Sequence, residues 1–227
     1  MELEVAAAAL QELTSRFELV FPRSPGQLDD VFRLRYQVYC LERGFEPARN
    51  GRESDRFDPF ARHALVRDRA SHQPVGTVRL VSPAPGDILF SFPINKVCDP
   101  ALLRHLPPRR TAEISRFALS KSYRTDRGVT GSLLRLFLMR GVIALSSELG
   151  LTHWCALMEP CLMRLLRATS IHFQPLGGPV EHHGLRQPAV AVITEVLTRS
   201  AREQPLFWDF VTESGRHGDV RRLELAA

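Results

Sequence analysis

The stretch TAEISRFALS, residues 111–120, combines the apolar pattern of a buried β-strand with two ionisable side chains, Glu113 and Arg116. An unpaired charge in a protein core costs several kcal/mol, so each side chain needs a partner or a ligand. Because alternate strand residues point to opposite faces, the two should face opposite sides unless a β-bulge rotates the chain between them. Partial burial raises the pKa of a carboxyl group toward neutrality, which makes Glu113 a candidate general base.

Further charged residues precede this strand in the first half of the chain. They are Arg35, Glu53, Asp55, Asp58 and Arg79. The acidic ones lie in EPARNGRESDRFDPFA, residues 46–61, whose proline and glycine predict a loop. Solvent-facing ion pairs of little energetic weight are one explanation. In the alternative, Asp55 and Asp58 neutralise Arg79 and Arg116, and charge-assisted hydrogen bonds fasten the loop to the sheet.

The elements that must position these side chains follow from hydrophobic periodicity and from helix and turn signals. Helices are predicted over residues 3–16, 24–44, 130–149, 159–169 and around 200–214. Strands are predicted over 17–22, 62–69, 75–83, near 88–94, 111–120, 151–158, 171–176 and 189–197. This order predicts one α/β domain over residues 1–227, with a mixed central sheet flanked by helices. The N-terminal helices occupy about 1–45, and the acidic loop of about 46–61 is expected to be mobile.

Composition restricts the class of protein. The chain has 227 residues, 44% of them hydrophobic and 24% charged, with a formal net charge of +5. This balance favours an acidic partner or an anionic ligand and does not single out nucleic acid. The N-terminus lacks the pattern of a signal peptide, and Arg135, Arg140 and Glu148 interrupt the longest apolar stretch. A cytoplasmic protein without a membrane span is therefore expected.

The cysteines and histidines predict neither a metal site nor a covalent nucleophile. The four cysteines are scattered without a CxxC pair, which favours reduced thiols. His182 and His183 match no zinc-ligand spacing with the nearby thiols. No histidine can be identified as the partner of a nucleophilic Cys40 or Cys155.

Six elements of the first half stand in the order and spacing of a known signature. They are Arg35, Tyr39 and Phe45 in RYQVYCLERGF, the E-x-D-x-x-D loop ESDRFD, Arg79 in GTVRL, and EISRF. Residues 28–120 therefore resemble the acyl-homoserine-lactone synthases. Residues 159–193 are more similar to the N-acyl amino acid synthases and to the acyltransferases of the PEP-CTERM/exosortase system, whose G-x-R-x-P segment matches Gly184, Arg186 and Pro188. All are variants of the GNAT acyltransferase fold.

The resemblance implies an N-acyltransferase that moves a fatty acyl group from acyl carrier protein to the amine of a small acceptor, an amino acid or related metabolite, in an exosortase-type context. An acyl-homoserine-lactone synthase is the alternative enzyme. A non-catalytic module that binds an acyl ligand or a carrier protein is the alternative from another class. No cofactor is expected to stay bound, because the acyl-phosphopantetheine arm is a co-substrate.

The resemblance also implies roles for individual residues. Glu113 would take the proton from the amine, and backbone groups of its strand, splayed from the neighbouring strand by a bulge, would stabilise the tetrahedral intermediate. The expected substrate-binding residues are Arg35, Phe45, Glu53, Asp55, Asp58, Arg79, Ser115, Arg116 and Phe117. The expected phosphopantetheine-binding residues are Arg124, Gly128, Thr130 and Gly131, and candidates for docking the acidic carrier protein are Arg104, Arg109, Arg110 and Arg124. Thr130 departs from the GNAT pyrophosphate motif, which favours acyl carrier protein over coenzyme A as the donor.

Overall fold

The strands predicted around the charged stretch form one mixed sheet in the computed structural model, which describes residues 2–48, 50–83, 92–124 and 130–218. The strands are β1 (Phe17–Val20), β2 (Ala61–Asp68), β3 (Pro74–Val81), β4 (Thr111–Leu119), β5 (His153–Met158), β6 (Gln174–Pro175), β7 (Val180–Glu181) and β8 (Leu185–Val192). The sheet order is β1-β2-β3-β4-β5-β8-β6, and β7 pairs with β8. Neighbouring strands are antiparallel except for β4 and β5, which are parallel.

Helices cover both faces of this sheet. They are α1 (Glu2–Arg16), α2 (Pro25–Arg35), α3 (Lys121–Arg124), α4 (Thr130–Glu148), α5 (Pro160–Ala168), α6 (Ile193–Glu203) and α7 (Pro205–Thr212). The main core lies between α4 and the sheet, where Leu134, Leu138 and Val142 are fully buried at helical spacing. A Cβ atom on Gly141 would lie 2.6 Å from the Cβ of Ala64, so this glycine lets the helix pack closely on β2.

The other face is covered by α2, which the sequence starts with a capping box formed by Ser24 and Gln27. After Arg35 the chain continues as a π-helix, Tyr36–Glu42, instead of the uninterrupted α-helix that was predicted. Val31, Leu34 and Val38 from this unit pack against Leu65 and Ala118 of the sheet. The N-terminal helical unit thus lies over β3 and reaches β4, the strand with the unusual charges, at Ala118.

Most predicted elements are confirmed, and three differ besides the π-helix. The strand expected near 88–94 is a 3-10 turn at Pro93–Lys96 where the structure describes it, and 84–91 lie outside the described residues. The turn forms because the Ile94 N–H donates to the Glu113 side chain and not to a neighbouring strand. Only Gln174 and Pro175 of the strand expected over 171–176 pair with β8.

The helix predicted around 200–214 is two helices, α6 and α7, and the first of them begins at Ile193. Ile193, Val196, Leu197 and Ser200 are buried at the i, i+3, i+4, i+7 spacing of a helix, a pattern that the apolar run in β8 concealed. The extent of the domain and the mobility of residues 46–61 stay predictions. No helix among the described residues is both long and apolar enough to cross a membrane.

Candidate active site

A β-bulge lies in the middle of β4. The β3–β4 register shifts there, so that Arg116 and Phe117 together stand opposite Val78. Arg116 has a φ of 50°, a left-handed conformation that is strained for a residue with a side chain. The bulge brings the Arg116 guanidinium to the face on which Glu113 and Ser115 lie. Strand alternation alone would place Glu113 and Arg116 on opposite faces, and a β-bulge was the one predicted exception.

Beyond the start of β4 the two parallel strands separate. β4 and β5 pair only over Thr111–Ile114 and His153–Ala156, and the rest of β4 pairs with β3 alone. A cavity of ≈ 400 Å³ lies in this opening. Its walls are the bulged part of β4, the end of β5, the first turns of α4 and α5, the segment that follows the π-helix, and the hairpin of β7 and β8. Unpaired backbone groups of β4 therefore line a cavity of substrate size.

Glu113 lies at the inner end of this cavity and is 2% exposed. In the strand register it stands between Val81 and Cys155, in a second apolar cluster with Phe92 and Ile94. Its Oε2 accepts a hydrogen bond from the Ile94 N–H at 2.8 Å. Burial raises the pKa of Glu113 to about 8, although this hydrogen bond and the nearby arginines lower it. A buried carboxyl with a pKa near the working pH is suited to take a proton from an ammonium group.

A buried network of ion pairs anchors the acidic loop next to the bulge. Asp55 binds the Arg79 guanidinium with both oxygens, at 2.7 and 3.1 Å. Asp58 Oδ1 accepts from Arg79 Nη1 at 2.8 Å and from Arg35 Nη1 at 2.6 Å. Glu53 lies between two arginines: its Oε2 is 2.5 Å from Arg35 Nε, and its Oε1 is 2.9 Å from Arg116 Nη2. Three arginines and three carboxylates thus balance in charge, and four chain segments meet in one rigid cluster.

These contacts confirm the predicted fastening of the loop. Asp55 and Asp58 both bind Arg79, and Asp55 also contacts Arg116 at 3.4 Å. Two further pairs were not predicted: Asp58 binds Arg35, and Arg116 has Glu53 as its main partner, because the bulge directs it toward the start of the loop. Burial alone would raise the pKa of Asp58, but its arginine partners outweigh burial and lower that pKa to about 2.

The remaining predicted substrate-binding residues also lie near the bulge. The Ser115 hydroxyl accepts from Arg79 Nε at 3.1 Å, and Phe117 lines the cavity. Phe45 also lines it and stacks on His183, with ring centroids 4.8 Å apart. The structure therefore brings the predicted substrate-binding set together around the bulge, while the binding itself stays a prediction.

The predicted phosphopantetheine residues are only partly described. Gly128 lies outside the described residues, Thr130 begins α4, and Gly131 follows it in the first turn. Arg124 lines the cavity, but its guanidinium already pairs with Glu42 at 3.2 Å. The carrier-docking candidates do not form one patch, because Arg109 precedes β4 and Arg124 follows it, which separates them by roughly the 30 Å length of nine strand residues.

Several cavity residues received no role from the sequence. They are Arg43, Arg135, Glu159, His182, His183 and Arg186. Arg186 stands in the G-x-R-x-P segment, which was a signal that could have pointed to it. Arg43 and Glu159 are not positions of any motif described above. They are 116 positions apart, and only the folded chain brings them into contact. Among the described residues no group of histidine, cysteine or acidic side chains could hold a metal ion.

Comparison with known proteins agrees with this geometry. Residues 34–133 match the acetyltransferase (GNAT) domain. No curated protein sequence matches the chain significantly. The AHL synthase LasI is similar in structure, with a TM-score of 0.61 and 16% identity over 78% of this chain and 89% of LasI.

Two other solved structures show the same fold. FeeM, an N-acyl amino acid synthase from uncultured soil microbes, has a TM-score of 0.63 and 14% identity over 83% of this chain and 96% of its own. BjaI, a CoA-dependent acyl-homoserine lactone synthase solved with MTA, has a TM-score of 0.62 and 22% identity over 92% of this chain and 99% of its own. The predicted fold class is confirmed, and the matched domain is that of an acyl-transferring enzyme, as predicted. The chain is an α/β protein with the GNAT fold.

Proposed function

We propose that the chain is an N-acyltransferase that moves a fatty acyl group from the phosphopantetheine thioester of acyl carrier protein to the amine of a small acceptor, an amino acid or related metabolite. The observation that carries this proposal is the place of Glu113. Its buried carboxyl, with a pKa near 8, opens into the cavity between the separated strands, next to unpaired backbone of the bulge.

The chemistry requires few groups. The acceptor ammonium loses a proton to the Glu113 carboxylate, directly or through a water, and the free amine attacks the thioester carbon. A C–N bond forms, and backbone N–H groups of the bulged strand stabilise the negative charge on the oxygen. The C–S bond then breaks as the nitrogen loses its second proton, which passes, directly or through water, to the departing phosphopantetheine thiolate. Glu113 returns its proton to solvent, and no covalent enzyme intermediate is needed.

The proposal includes acyl carrier protein, and not coenzyme A, as the donor. The separated strands leave room for an extended acyl-phosphopantetheine arm. The start of α4, where Ser132 lines the cavity, offers the N–H groups and the positive dipole end that suit a phosphate. Both carrier-bound and coenzyme A-bound arms satisfy this geometry. The departure at Thr130 from the pyrophosphate motif supports the carrier protein. The exosortase-type setting and a cytoplasmic location belong to the proposal as well, supported by sequence features alone.

Incubation of the purified protein with matched donors and acceptors tests the proposal. Dodecanoyl-acyl carrier protein and dodecanoyl-coenzyme A are each combined with a mixture of the twenty amino acids or with S-adenosylmethionine, and mass spectrometry identifies the products. N-acyl amino acids formed from the carrier-bound donor support the proposal. A lactone formed from S-adenosylmethionine replaces it with an acyl-homoserine-lactone synthase. Tight binding of the acylated carrier without any product replaces it with a non-catalytic module.

A further inference from the structure

Two arginines from distant parts of the chain meet at the outer end of the cavity. Arg43 Nη1 and Arg186 Nη2 each lie 3.1 Å from the same atom, Oε1 of Glu159. Arg43 follows the π-helix, Glu159 follows β5, and Arg186 lies on β8, so the contact joins the two sides of the strand opening. We propose that Arg43 and Arg186 form a subsite for the carboxylate of the amine acceptor, which Glu159 occupies in the free protein. This inference rests on the proposed function.

The charges at this position are unbalanced. One carboxylate faces two guanidinium groups, whereas Arg116 and Arg124, further along the cavity wall, have carboxylate partners of their own. Arg135 adds positive charge, since it donates to the Gly131 carbonyl oxygen and forms no ion pair with a carboxylate of the described residues. Burial lowers the pKa of Arg135, and the positive charges of Arg124 and Arg43 lower it further, although Cys161 and Glu159 act in the opposite direction. An incoming carboxylate would offset this excess charge.

The two guanidinium groups are held in place before any ligand arrives. Arg186 donates to the carbonyl oxygens of His183 at 2.8 Å and Leu185 at 3.2 Å, in a turn that Gly184 permits with its φ of 93°. The Arg43 guanidinium lies 5.4 Å from the centroid of the Phe45 ring, which stacks on His183. Because these contacts fix the donors, little side-chain entropy remains to be lost when a carboxylate binds.

The subsite lies on the acceptor side of the bulge. Glu46 bridges the two regions, since its Oε1 lies 3.7 Å from Arg116 and 3.9 Å from His183. An acceptor whose carboxylate binds at the outer end would direct its amine inward, toward the bulge and Glu113. The fixed carboxylate thereby selects acceptors that carry an acid group close to the amine, and both an amino acid and the amino-acid part of S-adenosylmethionine satisfy this requirement.

Kinetics with matched acceptors test the subsite. The acceptor found to be active is compared with its carboxamide, which lacks the charge, in the wild type and in Arg186→Gln, Arg43→Gln and Glu159→Gln. The wild type should prefer the acid, and the acid-to-amide ratio of kcat/KM should fall about 10-fold or more in either arginine variant. Glu159→Gln should lower KM for the acid, because it removes the internal competitor. Arg164→Gln, an exposed arginine on α5, is the control and should leave the ratio unchanged.

Calorimetric titration with N-dodecanoylglycine and its carboxamide tests the same subsite without turnover. Tighter binding of the acid, lost in Arg186→Gln and strengthened in Glu159→Gln, supports the subsite even if no acceptor reacts. Equal binding of acid and carboxamide by the wild type overturns it, as does an acid-to-amide preference that survives in both arginine variants. A protein that shows the binding preference but forms no product contradicts the proposed function and leaves the carboxylate subsite standing.

Discussion

Replacement of Glu113 by glutamine should remove the loss of stability that ionisation of this carboxyl causes as the pH rises. Glutamine has nearly the same shape, and its carbonyl oxygen can still accept the hydrogen bond from the Ile94 N–H. In the folded protein burial raises the pKa of Glu113 from 4.5 to about 8, so the native state binds more protons than the unfolded state between these values. The stabilisation from the neutral carboxyl is therefore complete below pH 4.5 and is lost as the pH rises through 8.

The magnitude follows from the two pKa values. Each tenfold change in proton affinity corresponds to about 1.4 kcal/mol, so the full effect is about 5 kcal/mol. Of this, about 4 kcal/mol falls between pH 5 and pH 9, because the titration is incomplete at both ends. For a chain of this size, that difference corresponds to roughly 8–16 °C in Tm. The Tm of Glu113→Gln minus that of the wild type should rise by this amount over the range.

Thermal unfolding of both proteins at pH 5, 6, 7, 8 and 9 measures this difference. Glu12→Gln, a substitution at an exposed position of α1, is the control and should give a curve parallel to the wild type. Curves for Glu113→Gln and wild type that stay parallel from pH 5 to pH 9 would show that Glu113 ionises normally. In that case its burial and its role as a tuned base would both be refuted.

Two further predictions concern the packing and the ion pairs that hold the site. Gly141→Ala should destabilise the fold by about 1–3 kcal/mol, because the new methyl group meets Ala64. Gly26→Ala is the control, since a methyl group there meets nothing within 4 Å. Urea unfolding measures both variants, and equal midpoints would contradict the close packing at Gly141. Asp58→Asn should cost about 3–5 kcal/mol, since it breaks a buried pair with Arg35. The pKa of Asp58 near 2 also predicts that the wild type loses this stability as the pH falls from about 4 to 2, and a variant with unchanged acid unfolding would contradict it.

The sequence was sufficient to predict the part of the site in which charged residues interrupt an apolar strand pattern. Glu113 and Arg116 stood out because a buried strand rarely contains them, and their need for partners correctly indicated the acidic loop. The pairing of Arg116 with Glu53 could not be foreseen, since it depends on how the bulge turns Arg116. A bulge changes the register by a single residue, and strand periodicity contains no signal for it here.

The parts that were missed depend on tertiary contacts. The π-helix after Arg35 has the same apolar spacing as an α-helix, so the sequence predicted one continuous element. The turn at Pro93–Lys96 exists because a side chain, Glu113, satisfies its backbone N–H group. Arg43 and Glu159 meet only after the sheet is assembled, and neither stands in a recognisable motif.

The pH dependence of acyl transfer by the wild type and by Glu113→Gln tests the central claim most directly. With the donor and acceptor identified as above, kcat/KM of the wild type should rise with pH along a limb of apparent pKa about 8. A limb that stays in place when the acceptor is replaced by one of different amine pKa belongs to the enzyme. Glu113→Gln should lower kcat/KM about 100-fold or more and abolish the limb. A variant with near-normal turnover and an unchanged limb would contradict the assignment of Glu113 as the base.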